Sequence, residues 1–142
     1  MPHIHDKIDY CVEVFIVHKN RVLLRKHDKY KIWLSVGGHI ELDEDPNEAA
    51  LREVKEEVGL DVTLFHSTDF PIIHGDHKGL LPPIFTSRIR ISETHEHIVF
   101  VYFAHSSTDK LRLSNTEISE ECRWFTRAEL DDSAFKLKKD VG

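Results

Sequence analysis

The stretch "GGHIELDEDPNEAALREVKEEVGL", Gly37 to Leu60, constrains this chain more than any other. It reads as a glycine-led loop running into one helix. Asp45 suits the N-cap, Pro46 the first helical position, and Glu48 completes a capping box. Gly59 stops the helix at about Val58. On a wheel of about 100° per residue, Glu53, Glu56 and Glu57 share an arc of about 100°. Ala50, Leu51, Val54 and Val58 form the adjacent apolar stripe that faces the core. Ala49 falls inside the acidic arc, where a small side chain leaves room for an approaching group. Like charges at this spacing weaken a helix by about 0.2–0.5 kcal/mol per pair, and Arg52, four residues before Glu56, braces that glutamate. Solvation, a basic partner or bound cations are the three ways to tolerate such a cluster. Oxygen donors crowded on one face suit a hard divalent cation, Mg²⁺ above all when phosphates complete its coordination.

The flanks predict a mixed order of elements. "YCVEVFIVHKNRVLLRKH" reads as two strands, Tyr10 to His18 and Arg21 to His27, joined by a tight turn at Lys19-Asn20. "HDKYKIWLSVGG" reads as a short irregular connection with Trp33 and Leu34 anchored in the core. After the helix, "LDVTLFHSTDF" alternates as a strand, and "PIIHGDHKGLLPP" has the composition of a long surface loop. "IFTSRIRIS" and "HIVFVYFAH" are two more strands across the "ETHE" turn. "ECRWFTRAEL" is a last strand, with Trp124 and Phe125 in the core, entering a helix capped by Thr126 with Glu129 at the matching position. No repeat or linker is visible. The expectation is a single α+β domain over residues 1–142, with flexible tails at 1–8 and 138–142.

Composition sets limits on partners. A net charge of −6 over 142 residues argues against an extended nucleic-acid surface. No segment approaches the roughly 18 apolar residues of a membrane span, and the N-terminus has no apolar signal core. The expected location is therefore cytoplasmic. Cys11 and Cys122 form no metal or redox motif and read as reduced, buried thiols. The eleven histidines are scattered along the chain, and "HIH" at His3 and His5 reads as a polar terminus.

From Gly38 to Leu60 the letters run Gly, five residues, Glu44, seven residues, Arg52-Glu53, aliphatic Val54, one residue, Glu56-Glu57, one residue, Gly59 and Leu60. This resembles the complete Nudix box. Seven fixed letters, each worth roughly a factor of 15 by average usage, make a chance match negligible. The resemblance covers the chain from about Tyr10 to Leu130 and implies an αβα sandwich with a mixed sheet. It also implies hydrolysis of a nucleoside diphosphate linked to another moiety, with Mg²⁺ or Mn²⁺ and an activated water. Carried over by position, Glu53, Glu56 and Glu57 bind metal, with a carbonyl of Gly37 or Gly38 adding a ligand from the loop. Arg52 orients a glutamate, and Glu44 supports the loop–helix geometry. The general base is Glu56 or Glu53, with Glu96 in "THEH", flanked by His95 and His97, as the other candidate.

Marks of particular subfamilies are missing. Asp76 to Gly79 read "DHKG" where dinucleoside polyphosphate hydrolases carry a tyrosine, and the arrays of NADH, coenzyme A and ADP-ribose pyrophosphatases are absent. Val36 stands where many members have proline. Substrate contacts are expected from Arg25, with Arg21 and Lys26 on the same strand. His74 and His77 in a possible lid, Phe85 as a stacking platform, and Glu96 and His97 complete the candidate set. Tyr102 and Phe103 either stack a base or belong to the core. A small nucleotide is the expected substrate of a monomer or homodimer. A non-catalytic nucleotide sensor and a hydrolase of RNA 5′ ends are the alternatives.

Overall fold

A computed structural model describes residues 8–26, 33–65, 73–112 and 121–130. The strands are β1 (Ile8–His18), β2 (Arg21–Lys26), β3 (Trp33–Leu34), β4 (Val36–His39), β5 (Val62–Leu64), β6 (Ile73–His74), β7 (His77–Lys78), β8 (Phe85–Arg90), β9 (Glu96–Ser106) and β10 (Glu121–Thr126). Helix α1 spans Pro46–Val58, and residues 127–130 are helical. His3, His5, His27, Pro71, the expected tail at 138–142 and residues 1–7 of the other lie outside the described residues, while Ile8, expected in that tail, opens β1.

Two long strands form the frame. β1 and β9 run parallel, from Ile8 opposite Glu96 to Val17 opposite His105. The other edge of β1 is shared: Ile16–His18 pair with β2, and Cys11–Val14 pair with β4. The other edge of β9 is shared in the same way by β8 and β5. β10 and β3 extend the sheet from β2, giving eight strands, all antiparallel except the central pair. The mixed sheet with its packed helix gives the α+β class.

Local chemistry explains the joints. Lys19 and Asn20 both have positive φ, 48° and 63°, the geometry that matches the twist of a two-residue hairpin. Asp45 Oδ1 accepts from Glu48 N at 2.8 Å, and Glu48 Oε1 accepts from Asp45 N at 2.9 Å, closing the capping box. Thr126 and Glu129 repeat this exchange at the start of 127–130. Gly59 leaves α1 in the left-handed region with φ 73°. Asn47, in the first turn of α1, holds the strand-free stretch before β8. Its amide donates to Leu81 O and Tyr102 Oη and accepts from Leu81 N.

Two segments differ from the sequence reading. Trp33–Leu34 and Val36–His39 are short strands, because the sheet supplies ladder partners that local composition does not announce. Part of the expected surface loop is the β6–β7 hairpin, turning at Gly75 with φ 65°.

Alternation along β1 sends Val12, Val14 and Ile16 against Ala49, Ala50, Val54 and Val58 of α1. Leu23, Val36, Leu60, Leu64, Tyr102 and Ala104 complete this core. Cys11, Val99 and Val101 form a smaller cluster with Phe15. Tyr102 and Phe125 are core residues, as are the partly buried Cys122 and Trp124 at its margin. Leu51, expected in the core, is exposed, whereas Ala49 is fully buried rather than open. The helix is rolled so that its buried arc runs from Ala49 to Val58 and brackets Glu53 and Glu57. No helix among the described residues is long and apolar enough to cross a membrane.

Two substitutions separate the cap from the ladder. Asp45→Ala is expected to cost about 1 kcal/mol in urea unfolding with an unchanged m-value. A Cβ on Gly37 would stand 2.1 Å from the backbone oxygen of Val12, so Gly37→Ala is expected to cost about 2–3 kcal/mol. Equal midpoints for Gly37→Ala and wild type would contradict the close β1–β4 approach.

Candidate active site

The carboxylates of α1 meet the loop before it at one point of contact. Gly38, paired with Val12, lies so near Glu53 that an added Cβ would fall 1.8 Å from Glu53 Oε2. A side chain at position 38 would overlap this carboxylate, so glycine is what lets Glu53 lie against β4. The loop itself is braced: Glu41 N donates to Glu44 Oε1 at 2.9 Å, and Glu44 N donates to Glu41 O at 3.3 Å.

Arg52 joins loop and helix. Its Nη2 donates to Glu44 Oε1 at 2.6 Å and to the His39 carbonyl at 2.9 Å, and its Nε donates to Glu44 Oε2 at 3.0 Å. Its Nη1 donates to Glu56 Oε1 at 3.3 Å and lies 3.5 Å from Glu53 Oε2. The hydrogen bonds from Arg52 hold Glu44 below its ordinary value, outweighing partial burial. Glu53 moves the other way. Burial pushes its carboxyl up; Arg52 and the more distant Arg25 oppose this, while Glu56 and Glu44 add to it.

The three helix carboxylates differ in setting. The side chains of Glu53 and Glu57 are largely buried, whereas that of Glu56 is 60 % exposed. Arg25 on β2 reaches this group, with Nη1 3.5 Å from Glu57 Oε2. Gly38, Glu44, Arg52, Glu53, Glu56, Glu57 and Arg25 therefore come together. Two oxygen-rich side chains bracketed by a packed helix face, with a third at its rim, form a donor set of the kind a hard divalent cation takes.

Other expected contacts lie elsewhere. Glu96 is paired with Arg88 across β8 and β9, which holds its carboxyl below the ordinary range. Phe85 is exposed on β8, and His77 is exposed on β7. His74 lies on β6, opposite His77. His97 gathers with Asp9, His39 and His95 rather than with the box glutamates. Phe103 is exposed and packs edge-on against Phe15. Arg21 is paired with Asp109.

Sequence reasoning passed over Glu13. This half-buried carboxylate lies opposite Gly37 and accepts from Ser35 Oγ at 3.3 Å. Burial raises its pKa against that hydrogen bond. Its signal was a charged letter inside the apolar run "CVEVFIV". Asn47 also went unremarked, since its partners lie 34 and 55 residues away.

Comparison with known proteins agrees with this geometry. The family model described as NUDIX domain matches residues 10–141. A solved NUDIX-family hydrolase from Clostridium perfringens is 38 % identical, with 87 % of this chain and 85 % of that chain covered and a TM-score of 0.75. An Ap4A hydrolase from C. elegans shares the fold at 21 % identity, with 92 % and 87 % coverage and a TM-score of 0.61. A dihydroneopterin triphosphate diphosphatase from Haemophilus influenzae is 45 % identical over 53 residues, 37 % of this chain and 34 % of that protein. The match thus spans about a third of that relative's length. With the loop–helix geometry and a family match over nearly the whole sequence, the chain belongs to the Nudix family of hydrolases, which act on diphosphate bonds.

Proposed function

We propose that this chain is a divalent-metal-dependent pyrophosphohydrolase of a small nucleotide, a nucleoside triphosphate or a nucleoside diphosphate derivative. The observation that carries the reading is the contact of Gly38 with Glu53, set beside Glu56 and Glu57 and tied to the loop by Arg52. Glu53, Glu56 and Glu57 would hold Mg²⁺ or Mn²⁺, with a backbone carbonyl of Gly37 or Gly38. When bound, such an ion neutralises pyrophosphate oxygens and lowers the pKa of water.

The chain's own residues do the rest. Arg52, fixed by Glu44, holds Glu56 at the solvent-facing rim, where its carboxylate takes the proton of an attacking water. The water oxygen bonds to phosphorus, the P–O bond of the anhydride breaks, and the leaving phosphate departs with the electron pair. Glu53, whose affinity for a proton burial raises, is the other carboxylate able to serve as base. Arg25 meets a phosphate oxygen beside Glu57. Positioning and charge stabilisation carry the reaction, so no serine or cysteine nucleophile is needed.

The similarity to a dihydroneopterin triphosphate diphosphatase places that triphosphate in the substrate panel with nucleoside triphosphates, nucleotide sugars, ADP-ribose and dinucleoside polyphosphates. Product analysis with Mg²⁺ is expected to show cleavage of one class. Glu56→Gln and Glu57→Gln are each expected to lower kcat by at least about 100-fold while the far-UV circular dichroism is preserved. Near-full turnover in both variants would refute the roles given to them. Binding of nucleotide without cleavage of any compound would favour a sensor.

Millimolar Mg²⁺ is expected to raise Tm by mass action on the native state. Gly38→Ala pushes against the end of a side chain rather than against backbone. It is expected to fold and to lose most of the Mg²⁺-dependent shift along with activity. A wild-type shift retained in Gly38→Ala would separate Glu53 from the metal.

A further inference from the structure

A second group of ligating side chains is carried by the strands and not by α1. Strand alternation turns Asp9 and Cys11 of β1, and His97 of β9, away from the face that packs on the helix, since Val12, Val14 and Tyr102 point to it. His39 ends β4 directly opposite Cys11. His95 closes the turn between β8 and β9, its carbonyl accepting from Ile91 N at 2.9 Å and Ser92 N at 3.0 Å. Three separate backbone segments are thus brought to one end of the sheet.

Their ring and carboxylate atoms converge. His95 Nε2 stands 3.1 Å from His97 Nε2 and 3.1 Å from Asp9 Oδ2. His39 Nε2 is 3.6 Å from the same Asp9 oxygen, and the His39 and His97 rings meet edge to face at 5.3 Å. Ligand atoms of Asp9, His95 and His97 all lie within 4.8 Å of one another, as do those of Cys11, His39 and His97. Tetrahedral ligands bonded at about 2.0 Å stand roughly 3.3 Å apart. Within the Asp9, His95 and His97 trio the spacing approaches that of a coordination shell.

We propose that Asp9, His95 and His97 form a binding site for one transition-metal ion of the Zn²⁺ class, distinct in its donors from the carboxylate site of α1, with His39 beside Asp9 and His97 to supply a fourth ligand on binding. Three imidazoles and one carboxylate select Zn²⁺ or its neighbours over Mg²⁺, which prefers oxygen and octahedral geometry. Cys11 sits against His39 and His97 as an adjoining soft donor. An ion here ties the start of β1 to the start of β9 and to the end of β4. His39 also gives its carbonyl to Arg52, so the ion anchors the last residue of β4, from which the loop to α1 departs. This assignment stands independently of the roles given to the helix glutamates.

Untagged protein is loaded with Zn²⁺ in a large excess of Mg²⁺, desalted, and measured for metal content and thermal unfolding. About one equivalent of Zn²⁺ is expected to remain, with a raised Tm. Asp9→Asn with His95→Gln is expected to weaken binding by more than the roughly 100-fold that loss of a supporting partner causes. His39→Asn, at a half-exposed strand end, is the milder variant if the double substitution fails to fold. With Co²⁺ in place of Zn²⁺, the visible absorption of tetrahedral cobalt is expected in wild type and not in His39→Asn. Glu56→Gln and the His3→Ala, His5→Ala protein are expected to retain the ion. Absence of retained Zn²⁺ in wild type, undiminished binding in the ligand variants, or its loss in either control would overturn the proposal.

Discussion

Everything around the site turns on the guanidinium of Arg52. One planar group grips a loop carbonyl at His39, both oxygens of Glu44, and the helix carboxylates at positions 53 and 56. An isolated exposed ion pair contributes about 1 kcal/mol or less, so the value of this contact is geometric. A fork with five fixed donors can set the distance between loop and helix, whereas an ammonium on a flexible stem cannot. The capping box acts in the same direction by fixing where the helix starts. The loop's two ends are thereby determined, one by the β1–β4 ladder and the other by the cap.

The legible parts of the molecule were those governed by near neighbours. Asp45, Pro46, Glu48 and Gly59 announced the helix because capping is an exchange between residues three or four apart. Lys19-Asn20 announced the hairpin for a similar reason. The grouping of Glu44, Arg52, Glu53, Glu56 and Glu57 followed from helical periodicity and from the spacing of the box. The roll of the helix did not, because packing decides it: Leu51 and Ala49 exchanged the positions expected of them once the helix met Val12 and Val36. The strand at Val36–His39 was hidden for the same reason, since its partners are on β1.

Register between distant strands hid the rest. Asp9 and His97 are neighbours only because β1 and β9 run parallel in one alignment. A shift of one residue would turn their side chains to opposite faces. Glu13 was readable as an anomaly in an apolar strand, but its burial and its bond to Ser35 belong to the tertiary structure. Neighbouring residues of β4 thus meet both groups, Gly38 lying against Glu53 and His39 against Asp9 and His97, which local letters alone do not disclose.

The parallel alignment of β1 with β9 bears on the order in which the chain acquires its shape. β1, β2, β4 and α1 are close in sequence and assemble through short closures, but the long edge of β1 waits for a strand that leaves the ribosome much later. Tyr102 and Ala104 of that strand also complete the floor beneath the helix. Until they arrive, the apolar face of α1 has only part of its cover, and one edge of β1 offers an unpaired ladder. Closing so large a loop is slow compared with hairpin formation. The interval is when a nascent chain of this kind is most exposed to wrong pairing with its neighbours.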